Sequence, residues 1–295
     1  MSAALEIRGL EKRFASFALG PIDLTVPAGA IYGFVGPNGS GKTTTIDLIF
    51  GMGAKDAGTI TVLGLDHLND EVAMKRQVGY VSPDLNYSPW GKVGRAIQFV
   101  KGFYPTWDDV YCEQLLRSLH VSKSERIMSL SFGARIKLSL VMALSWRPKL
   151  LILDEPTVGL DAISKQEVFS ELLSAVGDGD RSVLISSHGL TDLERFADHV
   201  GMIKQGKMLF EGSTAEMIER HRIVDFLLGS DLNASRGHSI AERPGVFVQA
   251  KEANRWRVLL DLKTAPMEWL RQSGATQITE SPVTLEELFV AIGRE

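Results

Sequence analysis

Residues 36–44 read GPNGSGKTT and match the pattern G-x-x-x-x-G-K-[ST] at every position. A run of this kind cradles phosphate. Gly36, Gly39 and Gly41 let the backbone curl so that successive N–H groups point inward, which a Cβ would hinder. Lys42 adds a positive charge for the outer phosphates, and the Thr43 hydroxyl is placed to ligate Mg²⁺. Pro37, Asn38, Ser40 and Thr44 complete the loop and its exit. Such a loop must be held between a strand and a helix. The apolar run 31–35 (IYGFV) supplies the strand, and residues 44–50 supply a helix whose positive N-terminal end faces the phosphates.

A second group of reactive residues closes the run KLLILDEP at 149–156. Four apolar residues, 150–153, read as a strand in the middle of a parallel sheet covered on both faces. It ends in Asp154 and Glu155, at the carboxyl edge where α/β proteins place their ligands. One acid can hold Mg²⁺ through water, and the other can orient or deprotonate an attacking water. Two acids ending a buried strand would be costly without a cation or partner. The run SVLISSH at 182–188 repeats the pattern, a buried strand with a polar end carrying Ser186, Ser187 and His188. A lone histidine is often structural, but this one falls at the same sheet edge as the cradle and the acids.

Two further segments could touch a nucleotide. MSLS at 128–131 leads into FGARIKLSLVMALSW, a helix with Ser131 near its N-cap, where a hydroxyl and free N–H groups make a second anion-binding position. Within KRFASF, Phe14 or Phe17 could stack on a purine ring; Phe14 is preferred because it follows Lys12 and Arg13, and either could instead be core.

The elements around these groups define an α/β protein. Residues 4–30 alternate in short bursts and read as antiparallel strands. GTITVLGLD reads as one strand with a turn on each side, followed by a helix of about ten residues and a strand over 78–82. A helical stretch over 93–119, broken at Pro105, lies between the cradle and the 128–131 segment, so a helical subdomain is expected over about 91–147. A helix over 164–176 and a closing hairpin, GMIKQGKMLFEGS, complete a first domain of residues 1–220. From 221 to 295 the character changes to a small α+β appendage, with strands RIVDFLLG, GVFVQAKE and RWRVLLDL and helices over 266–272 and 285–292.

Composition narrows the class. With 295 residues, 44% hydrophobic and 23% charged, the chain can bury one large core and one small one. Charges within the first ten positions argue against a signal peptide or anchor, and no eighteen-residue apolar run is present. The single cysteine, Cys112, suits a reducing cytoplasm and reads as a buried hydrophobe. A net charge of −4 gives no general attraction to nucleic acid.

The order GPNGSGKTT, SLSFG, LLILDEP, GLD, SH resembles the nucleotide-binding subunit of an ATP-binding cassette transporter over about the first 220 residues. The fold this implies is a P-loop cassette with a mainly parallel core sheet, an antiparallel N-terminal sheet and a helical subdomain. The resemblance implies ATP and Mg²⁺ as ligands, with Glu155 the catalytic carboxylate and His188 the switch histidine near the γ-phosphate. Asp154 and Thr43 would serve Mg²⁺, Phe14 would stack on adenine, and Asp161 would lie in the loop that crosses between subunits. Ser131 and Gly133 of the signature would face the nucleotide held by a second cassette, most simply another copy of this chain. The partner this implies is an integral membrane permease at the inner face of the cell membrane, driven by ATP-dependent dimerisation and release; nucleic acid is not expected. Two positions depart from the family. The signature is LSFGA rather than LSGGQ, placing Phe132 and Ala134 where glycine and glutamine are usual. Pro83 and Asp84 stand where a Mg²⁺-contacting glutamine is usual, and Asp84 is the candidate substitute. The end TLEELFVAIG and the segment FYPTWD are similar to exporter-type cassettes. The alternatives are a soluble cassette ATPase acting on nucleic acid or ribosomes, and an impaired regulatory cassette paired with a competent one.

Overall fold

A computed structural model describes residues 2–177, 179, 181–229 and 237–293. The N-terminal strands are β1 (Ala3–Arg13), β2 (Ala18–Pro27) and β3 (Ile31–Val35), followed by helix α1 (Lys42–Ile49). Next come β4 (Ala57–Val62), β5 (Leu65–Asp66), α2 (Glu71–Lys75) and β6 (Val78–Val81), and then helices α3 (Val93–Lys101), α4 (Asp109–Ser118) and α5 (Phe132–Leu144). The chain continues through β7 (Leu150–Leu153), α6 (Ala162–Val176), β8 (Ser182–Ser187), α7 (Leu190–Leu193), β9 (His199–Lys204) and β10 (Lys207–Ser213). The last elements are α8 (Thr214–Arg220), β11 (His221–Leu228), β12 (Val246–Glu252), β13 (Arg255–Asp261), α9 (Met267–Gln272), β14 (Ala275–Pro282) and α10 (Leu285–Ile292). No helix among the described residues is long and apolar enough to cross a membrane.

Two compact units result: Met1–Gly189 with Phe196–Glu211, and Leu190–Arg195 with Gly212–Glu295. In the first, β2-β1-β4-β5 form an antiparallel sheet, and β10-β9-β3-β8-β7-β6 form the sheet that carries the cradle. Within the latter, β9, β3, β8, β7 and β6 run parallel, in register at Gly33↔Ile185 and Leu153↔Ile185. Strands covered on both faces read as unbroken apolar runs, and β3 and β7 are buried at every residue. Tyr32, Phe34 and Ile152 share one core with Leu5 and Ile7 of the antiparallel sheet and Ile46 and Ile49 of α1.

Two local expectations are corrected, and a third is given its bounds. GTITVLGLD is a hairpin rather than one strand, because Leu63 and Gly64 adopt φ of 52° and 79° and turn the chain back so that β5 pairs with β4. The helix after it, α2, holds five residues rather than about ten. The break at Pro105 spans 102–108: Gly102 ends α3, and Asp108 restarts the chain as α4 by accepting the Tyr111 N–H at 2.9 Å.

The second unit is built on an antiparallel sheet ordered β12-β13-β11-β14. One face buries Val224, Phe226, Trp256, Val258 and Leu260 against Leu270 of α9. The strand β14 escapes sequence reading because ATQITESP is mostly polar, as an edge strand can be. Asp261 is the polar hub of this unit. It is buried and takes an ion pair from Arg220, the Lys263 N–H at 3.0 Å and the Thr264 hydroxyl at 3.0 Å. Burial opposes its ionisation, but these donors outweigh burial and lower its pKa to about 2. A carboxyl with a folded pKa below its unfolded one contributes stability above the unfolded value, and that contribution is lost as pH falls through both. Stability of this unit, followed by urea unfolding, is therefore expected to decline between about pH 4 and the folded value of about 2. Asp261→Asn is expected to remove that decline while lowering stability at neutral pH.

Candidate functional site

The loop 36–41 leaves β3 and enters α1 directly. Gly36 N–H donates to Ser187 O at 3.2 Å, tying the loop to the end of β8. Gly39 and Gly41 take φ of 75° and 110°, conformations that L side chains resist. Gly41 is the N-cap of α1 and offers no side chain, so the first helical turn has no side-chain cap. Ser40 adds a buried hydroxyl that makes no hydrogen bond among the described residues. Uncapped helix N–H groups, an unpaired buried hydroxyl and a buried lysine fit an oxyanion in this seat.

Lys42 lies almost out of water. Its Nζ donates to Gly36 O at 2.8 Å and to Pro37 O at 3.4 Å, and stands 3.1 Å from Glu155 Oε1. Among the described residues Glu155 Oε1 has no aligned hydrogen bond, so this contact is Coulombic. The other oxygen, Oε2, meets His188 Nδ1 at 2.8 Å. Glu155 itself has φ of 48°, a left-handed backbone that costs a non-glycine residue about 1–2 kcal/mol. Its N–H is held by Ser186 Oγ at 2.9 Å.

Asp154 is 4% exposed. Its two oxygens accept from two hydroxyls, Thr43 Oγ1 at 2.8 Å and Ser186 Oγ at 2.5 Å. The sheet order explains the meeting, since β8 lies between the cradle strand β3 and the acid strand β7. Residues from two strand ends and one helix start thus reach one edge: Lys42, Thr43, Asp154, Glu155 and His188, all singled out from sequence, and Ser186, whose double role the sequence did not indicate. The Asp154 and Thr43 oxygens are hard ligands of the kind Mg²⁺ takes.

Other expected residues lie apart from this cluster. Phe14 is 51% exposed, with Lys12 Nζ 5.8 Å from its ring centroid. Phe17 packs on the core instead, beside Gly41. Asp84 is exposed, with its N–H on Ser82 Oγ at 3.2 Å. Asp47, one helical turn after Thr43, was not foreseen. Its carboxyl is pushed above the usual range by burial and then by the charges of Asp154 and Asp84. Its i+4 spacing from Thr43 is the signal that could have found it. Ser131 caps α5 by accepting from Ala134 N–H at 3.1 Å, and Asp161 caps α6 by accepting from Ser164 N–H at 2.9 Å. Hydrogen bonds from Ser164 hold the Asp161 carboxyl below its ordinary value. Among the described residues no hydrogen bond joins Ser131, Gly133 or Asp161 to the cradle. The signature packs instead on the loop before Asp161: a Cβ at Gly159 would lie 3.1 Å from the Phe132 ring, and one at Gly133 2.8 Å from Leu160 Cδ2.

A cradle on a β3–α1 turn, a buried acid strand and an adjacent histidine strand define a P-loop nucleotide-binding protein. The ABC transporter family model matches residues 19–158. The ABC transporter ATP-binding protein YtrB of Bacillus subtilis (strain 168) is 29% identical, covering 97% of each chain. Nod factor export ATP-binding protein I of Burkholderia orbicola (strain AU 1054) is 30% identical over 74% of this chain and 73% of its own length. In fold, the chain is similar to a solved ATP-binding subunit of an ABC transporter, with a TM-score of 0.65 at 22% identity, over 79% of this chain and 93% of the other. The chain belongs to the ABC transporter family, as an ATP-binding subunit and ATPase.

The glycines divide by what a methyl would meet. A Cβ at Gly36 would stand 2.2 Å from Ile203 O in β9, whereas one at the exposed Gly39 would meet nothing within 4 Å. Gly39→Ala is expected to cost about 1–2 kcal/mol of backbone strain, and Gly36→Ala about 1–3 kcal/mol or more by forcing β9 away. Thermal melting of the two variants, beside titration with a fluorescent nucleotide, checks whether Gly36→Ala loses more stability than Gly39→Ala.

Proposed function

We propose that this chain powers a separate membrane permease by binding and hydrolysing Mg²⁺-ATP between two cassette subunits. The observation that supports this best is the convergence of Lys42, Glu155, His188, Asp154 and Thr43 within hydrogen-bond or ion-pair distance at one sheet edge. In this reading Thr43 and Asp154 hold Mg²⁺, with Asp84 as a further carboxylate in place of the family's glutamine. Held there, Mg²⁺ would supply neutralisation of the charge that develops on the phosphates. Residues 36–44 wrap the phosphates with N–H groups, Lys42 turns its charge to the outer phosphates, and Phe14 offers an exposed ring to adenine.

Lys42 and Glu155 pair with each other, so phosphate competes with Glu155 for Lys42 and frees one carboxylate oxygen to accept a proton from water. His188 keeps the other oxygen oriented. Among the described residues no hydrogen bond joins Ser131, Gly133 or Asp161 to the cradle, in keeping with a role toward the nucleotide of a second cassette, most simply another copy of this chain. The names of the relatives, a transporter ATP-binding protein and an export ATP-binding protein, support a permease partner and export at the inner face of the cell membrane, rather than work on nucleic acid. Residues 221–295 then serve as an accessory domain to the cassette of residues 1–220.

Glu155→Gln keeps shape and removes the base. Hydrolysis by the purified chain is expected to fall at least about 100-fold, with ATP binding retained and a larger species on size exclusion in ATP and Mg²⁺. A variant that hydrolyses like the parent would remove Glu155 from this role.

A further inference from the structure

We infer that Ser186 is a positioning residue for the hydrolytic centre, setting both acids at once through a single hydroxyl. This inference rests on the reading of Glu155 as the base.

Ser186 stands opposite Phe34 in the β3–β8 register, and the β7–β8 register ends at Leu153↔Ile185, so its neighbour across β7 is Asp154. It is fully buried, where a hydroxyl must find partners within the protein. As donor it reaches Asp154 Oδ1 at 2.5 Å, and as acceptor it takes the Glu155 N–H at 2.9 Å.

Each bond constrains a different group. With Thr43 Oγ1 on the other oxygen, the donor bond fixes the plane of the Asp154 carboxylate. The acceptor bond holds the peptide nitrogen of a residue whose φ is 48°, a backbone setting that glutamate does not favour unaided. That setting points Glu155 Oε2 at His188 Nδ1 and Oε1 toward Lys42 Nζ. Ser187, the next hydroxyl, cannot take over, because its Oγ is engaged with the N–H and the carbonyl of Gly189. Alanine at 186 would leave the Glu155 N–H without its partner and Asp154 Oδ1 without its donor, while Lys42 and the loop N–H groups would still hold phosphates. The chemical step should therefore suffer, and nucleotide binding should not.

The test compares Ser186→Ala, Ser186→Cys and Ser186→Thr in the full chain, beside Glu155→Gln. Losing an outer partner of this kind typically costs about 10–100-fold in activity or metal affinity. Ser186→Ala and Ser186→Cys, the latter close in volume but a weak donor, should lower kcat by about that factor with KM for ATP within about threefold. Ser186→Thr, which keeps the hydroxyl, should restore kcat to within about threefold. A readout apart from turnover is Mn²⁺ binding in the presence of ADP, followed by electron paramagnetic resonance, where the alanine variant should bind about tenfold more weakly. Unchanged kcat in the alanine and cysteine variants would overturn the inference. So would equal losses in all three, or failure of both hydroxyl-free variants to fold by circular dichroism, since the hydroxyl would then serve the fold alone. If Glu155→Gln hydrolyses like the parent, the reading of the base fails first; if it is inactive while Ser186→Ala is normal, the Ser186 inference fails by itself.

Discussion

A carboxylate almost out of water must be met by donors, and at Asp154 those donors are the hydroxyls of Thr43 and Ser186. Much of the first unit follows from that requirement. Thr43 can reach Asp154 only if α1 starts beside the end of β7, and Ser186 only if β8 lies between β3 and β7. Parallel pairing meets both needs, because it brings every strand of the set to the same edge with its carboxyl end. Antiparallel strands would have sent the acids and the cradle to opposite ends of the sheet.

The second constraint is electrostatic. Lys42 and Glu155 are both withdrawn from solvent, and each is the other's counter-charge. A buried ion has no cheap state on its own, so Lys42 must hold either a carboxylate or another anion. In the proposed function this would favour a ligand of high negative charge density. In the proposed function it would also couple ligand arrival to release of the acid; here Nζ is held by the two main-chain carbonyls of Gly36 and Pro37.

The departures from the family's usual motifs also have a physical setting. The Phe132 ring lies over Gly159, whose φ of 69° and missing side chain leave room for it, so the aromatic is accommodated by the loop that precedes Asp161. That contact joins the start of α5 to the segment between β7 and α6. Pro83 ends β6 early and leaves Asp84 exposed, its charge felt by Asp47. Charges far apart in sequence, those of Asp154 and Asp84, thus bear on the Asp47 carboxyl.

Local pattern by itself determined the strands β3, β7 and β8, the cradle, the two acids and His188, because each is written in a contiguous run: unbroken apolar residues, glycines at fixed offsets, a polar strand end. It also marked a change to α+β character from residue 221, since hydrophobic period is a local property. It could not decide that Ser186 serves both acids, that Glu155 pairs with Lys42, or that Phe14 stays exposed while Phe17 joins the core. Nor could it find β14 or the length of α2, where polar composition erases the period. Those outcomes depend on which strands become neighbours and on which side chain fills the space beside Gly41. Strand order and packing join residues 111 and 32 positions apart, and only the folded chain brings them within a hydrogen bond of each other.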